Sequence, residues 1–205
     1  MTEREKMEAG LWYDANFDEE LCQEREKAEE LCFQLNQTSP AHRNQREKLL
    51  EKLLPGKKDH VTILSPFYTD YGYNCQIGAG TFINHGAYFM DGGKISIGKN
   101  CMIGPNCGLY TASHPLAVKE RNEGLEMAGP ITIGDNVWIG ADVTILPGVT
   151  IGEGSVIGAK SLVTKDIPPH VLAVGHPCKV LRDITEEKTI TEKTVANLVF
   201  NRENR

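Results

Sequence analysis

The chain has 205 residues, 40% hydrophobic and 24% charged, with a net charge of −6 and a pI near 5.6. An acidic balance argues against nucleic acid or an anionic membrane as the main partner. No stretch approaches the roughly 18 apolar residues of a spanning helix, and the charged opening MTEREKMEAG lacks the apolar run of a secretory signal. The six cysteines (Cys22, Cys32, Cys75, Cys101, Cys107, Cys178) are scattered without a CxxC pair. They read as free thiols in a reducing, cytoplasmic setting, with no zinc ligand set and no metal site.

Residues 1–58 read as helical. Asn16-Phe17-Asp18-Glu19 has the form of a capping box, and Leu21, Ala28, Leu31, Cys32 and Leu35 then fall on one stripe at helical spacing. Ser39-Pro40 has the pattern of a second cap with proline at the first helical position. Leu49, Leu50, Leu53 and Leu54 supply that helix's apolar face, and Pro55-Gly56 ends it. Such a helical hairpin is too small to bury its own core and must dock on something else. A connector, 59–70, follows.

From Tyr71 the period becomes six: YGYNCQ, IGAGTF and INHGAY, then IGKNCM, IGPNCG and LYTASH. After a break come IGDNVW, IGADVT, ILPGVT, IGEGSV, IGAKSL and VTKDIP, without a gap from Ile133 to Pro168. A hexad is too short for a strand plus a crossover helix, so successive strands must wind directly into a parallel β-helix, three hexads to a triangular turn. The first residue, Ile or Val, should point inward and stack on its equivalent one turn away, at about 4.8 Å. Gly, Asn and Asp between strands suit corners with positive φ. Spacing alone leaves the hand of the coil open. The predicted units are therefore the helical hairpin (1–58), a mainly β domain over 71–184 with a loop at 115–132, and a C-terminal tail (185–205).

EKMEAGLWYDAN, DYGYN, TASHP, NVWIGADVTILPGVTIG and VTKDIPP followed by GHPCKVLR together resemble the hexapeptide-repeat acetyltransferases, most closely the maltose and galactoside O-acetyltransferases. The resemblance covers nearly the whole chain. It implies a left-handed parallel β-helix, acetyl-CoA as donor, a small sugar as acceptor, and a homotrimer with active sites between subunits.

His114 ends LYTASH just where the repeat breaks. An imidazole on a long loop can take a proton from a hydroxyl near neutral pH, and the resemblance of TASHP to the family's catalytic motif gives it that role; a surface histidine at a coil edge is the plain alternative. Asn84 stands in INHGAY where glycine is usual. It is either a corner asparagine in the left-handed region or, as the resemblance implies, a donor to acceptor and acetyl group that steadies an oxyanion. Glu126, in the loop, is a candidate to orient His114 on the pattern of a catalytic triad. Asp14 and Asp70 match acceptor-contacting positions of the family, with helix or turn caps as alternatives. The family's second carboxylate falls on Gly92, and Asp91 beside it is the substitute candidate. His42, His60, His170 and His176 have only solvent, turn or packing roles to explain. His85 lies beside Asn84, and a metal site with His114 would need a third histidine that the spacings do not supply.

Trp138, sixth in its hexad, should face outward and offer a platform for cofactor or acceptor, or for a neighbouring subunit. The small residues Gly140, Ala141 and Ala159 would let a pantetheine arm approach the backbone, the two alanines at family contact positions. Thr164, Lys165, Lys179 and Arg182 would meet the phosphates. The implied reaction is direct transfer without an acyl-enzyme. A xenobiotic acetyltransferase of the same fold, a metal-dependent hydratase and a purely structural β-helix are the competing readings. Nucleotidyl transfer is set aside because no Gly-rich nucleotide domain precedes the repeats.

Overall fold

In the computed structural model, which describes residues 1–185, short parallel strands wind into a three-sided β-helix. Face I carries Cys75–Ile77, Ile95–Ile97, Ile131–Ile133 and Thr150–Ile151. Face II carries Thr62–Ile63, Phe82–Ile83, Met102–Ile103, Trp138–Ile139, Val156–Ile157 and Val171–Val174, and face III carries Phe67–Thr69, Ala87–Met90, Gly108–Tyr110, Thr144–Ile145 and Leu162–Val163. The chain visits the faces in the order II, III, I, and each turn stacks in register on the last: Ile139 lies between Ile103 and Ile157, Ile133 between Ile97 and Ile151.

The hexad explains the stack. First-position residues such as Ile133, Ile139, Ile145, Ile151, Ile157 and Val163 are buried, and so are the fifth-position Val137, Val143 and Val149. The fourth position turns the corner in the left-handed backbone region: Asn100, Asn106, Asn136 and Asp142 have φ between 53° and 59°. That is why Asn and Asp, which tolerate it, recur there. Glycine at the second position answers a different need. A Cβ on Gly140 would stand 2.6 Å from the backbone nitrogen of Ala159 one turn on. The central Ile139, 0% exposed between two other isoleucines, should cost about 2–5 kcal/mol when cut to alanine. A denaturant titration of Ile139→Ala showing an unmoved midpoint would contradict this stack.

Two boundaries differ from the sequence reading, and the expected tail falls almost wholly outside the described residues. The β-helix begins before Tyr71, because Thr62–Ile63 and Phe67–Thr69 form its first strands, with Ile63 and Phe67 inward; most of the expected connector is a turn of coil without glycines. The break at 115–132 is folded: it contains a short helix, Val118–Asn122, and its last two residues already belong to the strand Ile131–Ile133. The tail lies beyond the described residues from 186 onward, and Lys179–Asp183 pairs antiparallel with Val171–Val174.

The N-terminal unit holds α1 (Glu3–Glu8), the short strand Tyr13–Asp14, α2 (Glu19–Gln37) and α3 (Arg43–Leu53). The α2 cap is Asp18, whose carboxylate accepts from Leu21 N at 3.0 Å, rather than Asn16. Ser39 does not cap α3; its hydroxyl accepts from Ala41 N within a turn, and the helix starts after His42. Leu21, Ala28, Cys32 and Leu35 of α2 are buried as the stripe predicts. From Ala28 onward that stripe, with Leu49, Leu50 and Leu53 of α3, joins the isoleucine core. The Asn36 side chain donates to Phe67 O at 3.0 Å and accepts from Phe67 N at 2.9 Å, imitating a further strand at the start of the coil.

Candidate active site

On the third turn the face III strand does not round the corner. It runs on as Ala112–Ser113, passes α4 (Val118–Asn122), and returns as Leu125–Ala128 antiparallel to its own outward arm, Ser113 opposite Met127. The other edge of the returning strand pairs with the N-terminal Tyr13–Asp14, placing Tyr13 opposite Glu126. His114 follows the outward arm, 43% exposed. Its Nδ1 lies 3.0 Å from Leu125 O. A carbonyl oxygen only accepts, so Nδ1 carries the hydrogen and Nε2 presents its lone pair. Glu126 Oε2 stands 3.7 Å from Nε2. This departs from the expected triad: the group behind the imidazole is a main-chain carbonyl, and the carboxylate lies on the working side.

Asp70 and Asp91 lie at the same prism edge, between faces III and I. Asp70 is largely buried, takes a hydrogen bond from the Tyr88 hydroxyl, and is pushed up to about 6 by burial and by the Asp91 and Glu126 charges, against the opposing pull of the Tyr88 bond and of Arg25. It opens into a cleft of about 660 Å³ between α2 and face III, lined by Arg25, Phe33, Tyr68 and Tyr88 among others. Asp14 Oδ1 accepts from Asn16 N and Phe17 N, which is the turn role, in the strand that pairs with Leu125. Asp91 is not a surface acceptor group. It is 0% exposed, and its Oδ1 receives the Thr69 hydroxyl and the Asp70 and Tyr71 amides. It therefore shapes the corner that holds Asp70.

A second concavity, of about 500 Å³, runs along face II and its edge with face III. Trp138, 54% exposed, lines it together with Met102, Asn84, Gly140, Ala141 and Ala159. Asn84 is not in the left-handed region. Its Oδ1 accepts from His85 N at 2.8 Å, which leaves the amide NH2 to donate. His85 turns to Ser65 O on this same edge and makes no pair with His114 within the chain. Thr164 and Lys165 follow the last face III strand, at the edge of His114, whereas Lys179 and Arg182 sit on the hairpin of face II. Arg182 Nη1 donates to Asp183 O at 3.1 Å. One chain thus carries His114, Glu126, Asp14 and Asp70 on one edge and Asn84, Trp138, Ala141 and Ala159 around another. Among the described residues no group of three His, Cys, Asp or Glu is arranged to hold a metal ion.

The maltose acetyltransferase hexapeptide capping motif matches residues 6–57, and six repeats of the bacterial transferase hexapeptide match residues 130–165. A Staphylococcus aureus (strain MRSA252) protein described as an acetyltransferase is 59% identical over 187 residues, 91% of this chain and 94% of its own. The maltose O-acetyltransferase from Clostridium difficile 630 superposes with a TM-score of 0.87 at 46% identity, covering 91% of this chain and 99% of that one. A galactoside acetyltransferase in complex with coenzyme A gives a TM-score of 0.87 at 37% identity, covering 94% and 97%. The chain belongs to the hexapeptide-repeat acetyltransferases, of the maltose and galactoside type.

Three residues of this acetyltransferase's candidate site escaped the sequence reading. Arg25 donates to the Tyr71 hydroxyl at 2.7 Å and to Ala15 O, tying α2 to the prism edge that carries Asp70. Its signal was present: a cation four residues after Leu21 and three before Ala28 sits on a helix's buried stripe only for a reason. Tyr88 is outward-facing on its strand and gives no such sign. Tyr13 is 0% exposed, and its hydroxyl donates to Glu126 Oε1 across 113 residues of sequence.

Proposed function

We propose that the enzyme transfers the acetyl group of acetyl-CoA directly to a primary (6-) hydroxyl of a sugar such as maltose, glucose or a galactoside, within a homotrimer whose sites lie between copies. The observation that carries this is His114 itself: Nδ1 anchored on Leu125 O, Nε2 turned outward with its lone pair available. His114 takes the proton of the sugar hydroxyl, and the oxygen attacks the thioester carbonyl. Asn84 donates its amide to the oxyanion that develops. The carbon–sulfur bond breaks, and the imidazolium returns the proton to the departing thiolate. The sugar enters the Asp70 cleft, where Asp14, Asp70 and Arg25 meet hydroxyls and Tyr68 and Phe33 offer faces to pyranose rings.

Acetyl-CoA suits the face II groove, with Trp138 beneath the pantetheine, Ala141 and Ala159 permitting close approach, and Thr164, Lys165, Lys179 and Arg182 toward the phosphates. A trimer is supported because His114 and Thr164-Lys165 occupy one prism edge and Asn84 borders another. A cyclic neighbour can bring the first against the second. The galactoside relative bound to coenzyme A supports the donor. A cytoplasmic location suits the unpaired cysteines, which a reducing compartment keeps as thiols.

The test is release of CoA thiol from acetyl-CoA in the presence of maltose, glucose, galactosides and chitin fragments. Acceptor-dependent release is expected with at least one sugar. No release with any of them, or release dependent only on antibiotic hydroxyls, would sink the sugar reading. Acetyl-CoA at a hundred times its Kd should stabilise the fold by about 2.7 kcal/mol, as binding to the native state alone requires.

A further inference from the structure

The Glu126 carboxylate does not bond His114, although it lies close enough to do so after a small rotation. The 3.7 Å from Oε2 to Nε2 exceeds the roughly 2.7–3.2 Å of a nitrogen–oxygen hydrogen bond. What holds it back is visible on its other oxygen. Oε1 accepts from the hydroxyl of Tyr13, a residue directly opposite on the paired strand and 0% exposed. Burial and the neighbouring Glu126 charge raise the Tyr13 pKa, so the hydroxyl keeps its proton and remains a donor. Water does not compete for a donor so placed.

Gly92 supplies an independent observation. A Cβ built there would stand 3.0 Å from the Tyr13 hydroxyl and 3.2 Å from Glu126 Oε1. The pair therefore occupies the room that the missing side chain leaves, at the position where a second acceptor carboxylate was expected. We infer that Tyr13 is a positioning residue that tethers the Glu126 carboxylate away from His114 Nε2, keeping that nitrogen open to the acceptor hydroxyl. The inference rests on His114 acting as the base. Without the tether, Oε2 closes on Nε2, favours the imidazolium, and blocks proton abstraction until the pH is raised. The other charged or titratable groups facing this pair are Arg25 from α2 and Asp70 and Tyr71 from the prism edge; all three remain when Tyr13 is changed.

The experiment compares the wild-type enzyme with Tyr13→Phe, Gly92→Ala, Glu126→Gln and Tyr13→Phe/Glu126→Gln in acceptor-dependent acetyl-CoA turnover from pH 5.5 to 9.5. For Tyr13→Phe the acid limb of kcat/KM should move up by about 0.5–1 pH unit, with turnover at pH 7 down about 3–10-fold and largely regained at pH 9. KM for acetyl-CoA should hold. Gly92→Ala, which crowds the same pair, should shift the limb in the same direction by less. The double variant should match Glu126→Gln alone, because the tether has nothing left to hold. An unmoved acid limb in both Tyr13→Phe and Gly92→Ala, or a loss equal at every pH, overturns the tether. Near wild-type turnover in His114→Ala would instead overturn the reading on which it rests.

Discussion

Replacing His114 with alanine should lower turnover about 10²–10⁴-fold, the range that a positioned general base supplies, while leaving acetyl-CoA affinity and the proposed trimer intact. The imidazole makes one hydrogen bond, from Nδ1 to Leu125 O, and is 43% exposed. The hairpin that carries it is held independently by strand pairing to Ala112–Ser113 and to Tyr13–Asp14. A loss of activity accompanied by loss of acetyl-CoA binding, measured by calorimetry, would mean that the hairpin had collapsed. Full activity would remove His114 from the chemistry.

Asn84→Ala is the second large effect, about 10²–10³-fold in kcat if its amide faces the oxyanion, as measured losses of single oxyanion donors suggest. The residue has no fold duty that would confuse the result, since its backbone is ordinary and its Oδ1 meets only the amide of the next residue. Because Asn84 and His114 occupy different prism edges, the two inactive variants become informative together. In mixed oligomers, an interface that draws its histidine from the Asn84→Ala chain and its asparagine from the His114→Ala chain is whole. If the copies close into the proposed cyclic trimer, random assembly restores about a quarter of wild-type activity. Co-expressed variants that stay as inactive as either alone would show that each chain builds its site by itself.

The β-helix was readable because every rung repeats one solution: an inward β-branched residue, a glycine where turns nearly touch, and a left-handed residue at the corner. The first turn was harder to see because it solves the same problem without glycine, through Ile63 and Phe67. Asp91 shows a signal present but unused. Ala87 and Phe89 are buried on alternate positions of one strand, and the same period of two carries Asp91 inward. Taking it as the substitute for an acceptor carboxylate expected at Gly92 put it on the wrong side of the chain. Asn84 stood out because it broke the hexad, and His114 because it ended one. The link from Tyr13 to Glu126 had no linear signal at all; it exists only because two strands far apart in sequence meet edge to edge. The Nδ1 partner of His114 is a main-chain atom, which residue identity never marks.

Asn36 clasps the main chain of Phe67 in the place where another rung would dock. A ladder of identical rungs has no intrinsic length, so its ending must be imposed from outside, and here the terminator is the same segment that delivers Tyr13 to Glu126 and Arg25 to Tyr71. Capping the ladder and walling the Asp70 cleft are therefore duties of one helix: a substitution that loosens Asn36 should bare the edge of Phe67–Thr69 and disturb that cleft together.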